Sequence, residues 1–198
     1  MSEINAVIFD LGNVLINVDS TELFQVLRDC GLEDDLEVVI KKCKALAYER
    51  GEVSDEEFFL SLAELCPRAP SLEQLSRAWL NMFSPIKEML ETARQVREKV
   101  PVYILTNTNN AHYIYLKKEY ALEELADSII ASHLVGSAKP EERIYRIAEK
   151  QWSIVPERTL YFDDKEENIR TALELGWRAF VHRNFEETVR VIKEYGLL

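Results

Sequence analysis

Residues 6–19 read AVIFDLGNVLINVD. Ala6, Val7, Ile8 and Phe9 form the continuous apolar run that a strand covered on both faces requires, and Asp10, directly after it, is expensive to bury without a use. Leu11, Gly12 and Asn13 then turn the chain, placing Asp10 at the strand's C-terminal end. In open α/β sheets that edge is where ligands bind. The fold therefore turns on whether later strands deliver polar groups to the same edge.

They do. After Pro101 the chain alternates strand and helix: VYIL ends at Thr106 and Asn107, DSIIASHLV reads as a short strand, and a helix begins near Pro140, just after Lys139. TLYF ends at Asp163 and Asp164, a helix follows, and WRAFVHR closes with another strand. AHYIYLKKEYALEEL between them reads as one helix, and the last stretch, NFEETVRVIKEYGLL, as an edge helix.

Between the first strand and this region, residues 20–99 read almost wholly as helix. STELFQVLRDCGL has Ser20 or Thr21 as its cap, with Leu23, Phe24, Leu27 and Cys30 on one stripe. Residues 35–66 divide into two helices at Gly51, the second opened by a Ser54-Asp55-Glu56-Glu57 capping box. In SLEQLSRAWLNMFSP, Ser71 caps a helix whose inward face is Leu72, Leu75 and Trp79, and Pro85 breaks it. Trp79, Trp152 and Trp177 read as core. A helical block this long exceeds any ordinary loop. The pattern predicts an α/β fold, a doubly wound parallel sheet with an inserted helical cap: core residues 1–16 and 86–198, cap residues 17–85, and short hinges near Asn17–Ser20 and Ser84–Pro85.

Composition narrows the function. With 35 acidic against 24 basic residues the net charge is −11, and no Lys/Arg block offers a nucleic-acid footprint. No apolar run is long enough to span a bilayer, and MSEINAVIF lacks a basic leader, so a soluble cytoplasmic protein is expected, with no membrane or obligate protein partner. Three cysteines without a C-x-x-C pattern, and only three histidines, argue against structural zinc.

FDLGNV, LTNTN, AKPEERIY and YFDDKEENI, in this order, resemble the four motifs of the haloacid dehalogenase superfamily. The helical insert, including YERGEVSDEEF (48–58), resembles its helical-cap phosphatase branch, to which bacterial α-D-glucose-1-phosphate phosphatases belong. The resemblance implies a Rossmann-like core and Mg²⁺-dependent hydrolysis of a small phosphorylated metabolite, such as a sugar phosphate, through an aspartyl-phosphate on Asp10. It implies Mg²⁺ ligands Asp10, the Gly12 carbonyl and Asp164, with Asp163 close by. Thr106, Asn107 and Lys139 would surround the phosphoryl group, and Asn168 would orient Asp164 from one helical turn away.

The chemistry of these residue types agrees: phosphoryl transfer needs a nucleophile and neutralisation of the phosphoryl charge, and magnesium takes oxygen ligands. Tyr48, Glu49 and Arg50 are either substrate contacts from the cap or an ordinary helix end before Gly51. His112, six residues after Thr106, either faces the site as an acid or sits on a helix surface, and the second reading is preferred. The branch's usual second aspartate, a general acid two residues after the nucleophile, is Gly12 here. Two other readings follow from that gap: a 2-haloacid dehalogenase, or a dead phosphate-binding module. A dehalogenase, however, would gain nothing from Asp163 and Asp164 crowding Asp10.

Overall fold

The computed structural model describes residues 3–198. Its strands are β1 (Ala6–Phe9), β2 (Ile16–Val18), β3 (Phe83–Pro85), β4 (Val102–Thr106), β5 (Ser128–Ala131), β6 (Thr159–Asp163) and β7 (Arg178–Val181). Five of them form one sheet in the order β5-β4-β1-β6-β7, and every pairing in it is parallel. The strand order reverses at β1, the switch point at which such sheets open a ligand crevice.

Both faces of the sheet are covered, as its apolar strands require. Val7, Phe9, Ile104, Leu160 and Phe162 pack on one side, and Ala6, Ile8, Leu105 and Tyr161 on the other. The helices after β1 bury a core of their own that includes Leu27, Tyr48, Phe58, Leu62 and Leu75. Each such side chain contributes about 1.5–3 kcal/mol by leaving water. This part therefore holds its shape by its own packing, as a cap over the sheet edge must.

Several local expectations are corrected. The two hinge segments pair with each other: β2 and β3 form an antiparallel ribbon with Asn17 opposite Ser84, so Pro85 ends a strand instead of breaking a helix. Residues 35–66 hold three helices, Leu36–Lys42, Ala45–Glu49 and Asp55–Ala63, because Lys44 turns left-handed at φ 57. A second left-handed residue, Ala121 at φ 47, splits the helix after β4 into Asn110–Glu119 and Leu122–Leu125.

DSIIASHLV is strand only to Ala131, opposite Thr106 at the end of β4. With no partner beyond, Ser132–Val135 closes into one helical turn. The Ser54 capping box forms as read, and Ser71 caps its helix as read, with Gln74 completing a second box. The Ser20 side chain does not cap; Asp19 takes the Thr21 N–H instead, at 2.9 Å. Leu72 is exposed, and Ala78 takes its inward place beside Leu75. Phe24, Cys30 and Trp79 are half-buried, while Trp152 and Trp177 are core. All three cysteines are free.

Candidate active site

The sheet register builds the site. Phe9 lies opposite Ile104 on one side and Phe162 on the other, so Asp10, Thr106 and Asp163 emerge at one edge. Asp10 is buried, and its Oδ1 accepts the Leu11 N–H at 2.7 Å and faces Lys139 Nζ at 2.8 Å. Lys139 commits its other ammonium protons to Asp163 Oδ2 at 2.6 Å and the Leu105 carbonyl at 2.8 Å. A lysine has three such protons, so its charge is fixed in place. Asn107 holds it there, donating to the Lys139 carbonyl and accepting its N–H, both at 2.8 Å. The Asn107 amide is thus a clamp on Lys139, with one of its two Nδ2 protons used for it.

The two neighbouring aspartates differ in what they can bind. Asp163 accepts from Lys139 and Tyr161 on one oxygen, and from the Lys165 N–H and Asn168 on the other at 2.9 and 2.8 Å. Those four donors fill the acceptor positions of a carboxylate. Asn168 therefore orients Asp163, not Asp164 as expected. Among the described residues Asp164 has one side-chain partner, Asn13 Nδ2 at 3.1 Å. Asn13, which sequence reasoning passed over, sits left-handed at φ 56 and also accepts the Val18 N–H at 3.1 Å. An asparagine after a turn glycine is the available signal, since that residue type tolerates this backbone region.

Carboxylate oxygens of Asp10, Asp163 and Asp164 lie within 4.8 Å of one another, offset by one ammonium. Burial pushes the Asp10 carboxyl up to about 6, with Asp163 adding to the effect and Lys139 opposing it. Asp163 is held below the usual range: desolvation is outweighed by Lys139 and the hydrogen bonds it accepts. Lys139 stays charged in spite of desolvation because both aspartates raise it. Asp10 and Asp164, with oxygen positions still open, and the Gly12 carbonyl in the same turn make a hard-oxygen donor set that suits Mg²⁺.

A cavity of about 190 Å³ opens beside Leu11 and Gly12, walled by Thr106, Asn107, Trp79, Phe83 and Glu49 among others. Thr106 is buried, and its hydroxyl makes only a 3.5 Å contact with the Asn107 carbonyl, so it can turn to a ligand. Arg50 does not line this cavity. Its guanidinium pairs with Glu141 across the cap-to-core seam, and Glu141 also accepts the Ser137 hydroxyl at 2.9 Å, just before Lys139. Long-range pairing of this kind leaves no local mark in the sequence.

His112 is buried rather than on a helix surface. Nδ1 accepts from Asn109, so Nε2 carries the proton and donates to the Trp79 carbonyl, both at 3.0 Å. Desolvation pushes His112 down to about 4, with the Trp79 contact and Asp55 opposing. A depressed histidine supports the fold fully above the unfolded value near 6.5, and the support is lost as pH falls toward 4. The expected loss is ~3 kcal/mol over that window. Urea unfolding at pH 7.5 and pH 4.5 should show the wild type losing more stability than His112→Asn; equal losses would mean that the ring is hydrated in solution.

A model of the haloacid dehalogenase-like hydrolase family matches residues 4–176. The chain is 28% identical over 191 residues to a D-ribitol-5-phosphate phosphatase of Bacteroides thetaiotaomicron, covering 91% of this chain and 93% of that one. It is 27% identical over 174 residues to the sesquiterpene phosphatase astK of Aspergillus oryzae, covering 86% of each. A crystal structure of an HAD-family enzyme of B. thetaiotaomicron in complex with magnesium and inorganic phosphate superposes with a TM-score of 0.83 at 26% identity, over 93% of this chain and 98% of that one. Among the described residues no helix is long and apolar enough to cross a membrane. The four motifs meet at one edge of a five-stranded parallel sheet, the match spans most of the length, and the chain belongs to the haloacid dehalogenase-like hydrolase family.

Proposed function

We propose that the protein is a magnesium-dependent phosphatase of small phosphomonoesters, with residues 17–85 as cap and residues 1–16 and 86–198 as catalytic core. The observation that carries this reading is the arrangement of Asp10 against Lys139 at 2.8 Å, with an Asp164 carboxylate oxygen within 4.8 Å of one of Asp10. Asp10 attacks phosphorus and forms an acyl-phosphate that water then cleaves. Lys139 keeps Asp10 ionised and faces the phosphoryl oxygens, and the Thr106 hydroxyl donates to one of them. Asp163 holds Lys139, and Asn107 holds its backbone. Asp10, Asp164 and the Gly12 carbonyl would hold Mg²⁺, which supplies charge neutralisation at the transferring group.

The relatives named for D-ribitol 5-phosphate and for a sesquiterpene support this class and bracket its organic part. In the cavity, the Asn107, Asn109 and His112 side chains already bond within the protein, while Trp79, Met82, Phe83 and Leu116 present apolar surface. We therefore expect the organic group to be held mainly by apolar contact. A panel running from glucose 1-phosphate and ribitol 5-phosphate to short isoprenyl and aryl monophosphates, assayed for phosphate release, tests this. EDTA should abolish release and added Mg²⁺ restore it, and KM should fall toward the apolar end. Halide release from 2-haloacids, or phosphate binding without turnover, would sink the phosphatase reading.

A further inference from the structure

The turn that carries Asp10 has no acid of its own, since the position two residues on is Gly12. An alkoxide leaving phosphorus nevertheless needs a proton. Only two titratable side chains line the cavity beside Gly12 among the described residues, His112 and Glu49. His112 has both ring nitrogens engaged. Lys139 has all three protons committed. Glu49 is different: it faces this cavity and also a second, apolar one of about 250 Å³ under the cap, whose walls include Val18, Trp79 and Met82 in common with the first. Among the described residues its carboxyl has no hydrogen-bond partner. Glu49 is half-buried, so its carboxyl is left with donor and acceptor positions open to a ligand.

The fold fixes this group from both sides. Immediately before it, Tyr48 donates to Asp55 at 2.6 Å, and Asp55 accepts from Asn110 of the core at 3.0 Å. Immediately after it, Arg50 is paired with Glu141. Gly51, at φ 70, lies so close to the core that a Cβ there would stand 2.4 Å from the His133 carbonyl oxygen. Three contacts on neighbouring residues thus seat the end of the helix Ala45–Glu49 on the core, with Glu49 in the wall of the cavity.

We propose that Glu49, reaching down from the cap, is the proton donor to the leaving group and takes the place of the acid missing at Gly12. This rests on the phosphatase reading above. As the Asp10 oxygen bonds to phosphorus and the P–O bond to the alcohol breaks, the electron pair leaves on the alcohol oxygen, which takes the Glu49 proton. In the second half-reaction water bonds to phosphorus as the bond to Asp10 breaks. Glu49 takes the water's proton and returns to its starting state. Desolvation raises the Glu49 carboxyl above the usual range, against the opposing charges of Lys165, Arg50 and Lys139, and so eases its holding of a proton.

The test compares wild type, Glu49→Gln and Glu49→Gln/Gly12→Asp on an alkyl phosphate and on p-nitrophenyl phosphate, whose leaving group needs little protonation. An aspartate at Gly12 asks a few tenths of an ångström of the Val18 methyl, 3.3 Å from where its Cβ would stand, and a side-chain methyl at this surface can give that much. In Glu49→Gln the turnover of the alkyl phosphate should fall ~10²–10³-fold. The single-turnover burst of nitrophenolate should stay within about threefold of wild type, followed by slow steady release as the water step loses its base. The double variant should recover at least about tenfold on the alkyl phosphate. A nitrophenolate burst that falls as far as the alkyl phosphate turnover, no loss on the alkyl phosphate, or no recovery in the double variant would overturn the assignment. A wild type that releases phosphate from neither substrate would overturn the phosphatase reading, and this assignment with it.

Discussion

Asp10→Asn is expected to lower kcat on every phosphomonoester by at least ~10⁴-fold, the scale set by removal of a covalent nucleophile. An amide has the size of the carboxylate but cannot attack phosphorus in its place. The fold should survive. The asparagine Oδ1 can still accept from the Leu11 N–H and from Lys139, as Asp10 does at 2.7 and 2.8 Å. Burial already disfavours the Asp10 charge in spite of Lys139, so the melting temperature in EDTA should equal or exceed that of the wild type. Added Mg²⁺ should raise the melting temperature of the wild type more than that of the variant, which has lost one ionic ligand. Turnover within about a hundredfold of wild type would mean that another group attacks.

The parts of this site written locally were legible before any coordinates. Ala6–Phe9 is apolar because it is covered on both faces, and a carboxylate after such a run marks the functional edge wherever it occurs. The same logic located Thr106 and the Asp163-Asp164 pair, Lys139 was read from its place before the helix at Pro140, and the structure brings all four motifs together. The sequence was less able to tell two adjacent aspartates apart. Which of them Asn168 supports depends on how the turn after β6 aims each side chain, a matter of one residue in register.

The errors share a cause. Arg50 finds Glu141 and Asn13 finds Asp164 only once the chain has closed on itself. His112 is buried because the cap segment bearing Trp79 lies against its helix; the two rings stack at 4.5 Å. Lys44 and Ala121 turn left-handed without a glycine to announce it, and β2 and β3 are three residues each, too short for any alternation to register. Periodicity reports a residue's own element, whereas these features belong to contacts between elements.

Lys139→Met probes those contacts where they carry most charge. The Lys139 side chain is 1% exposed and stands between two carboxylates. Methionine matches its volume but leaves Asp10 and Asp163 buried, close together and without a counter-ion. Breaking a buried pair in this way destabilises by ~3–5 kcal/mol, and urea unfolding in EDTA should show a loss of that size. Turnover should fall by ~10³-fold or more, because the variant lacks both the cation facing the phosphoryl oxygens and the charge that keeps Asp10 a nucleophile. The two losses can be separated. Lys139→Met/Asp163→Asn removes one stranded charge while keeping an oxygen for the Lys165 and Asn168 donors, so it should regain most of the stability and none of the turnover. A single variant as stable as wild type would show that solvent, not Lys139, balances the two aspartates. A double variant that regained activity along with stability would show that Lys139 serves the fold alone.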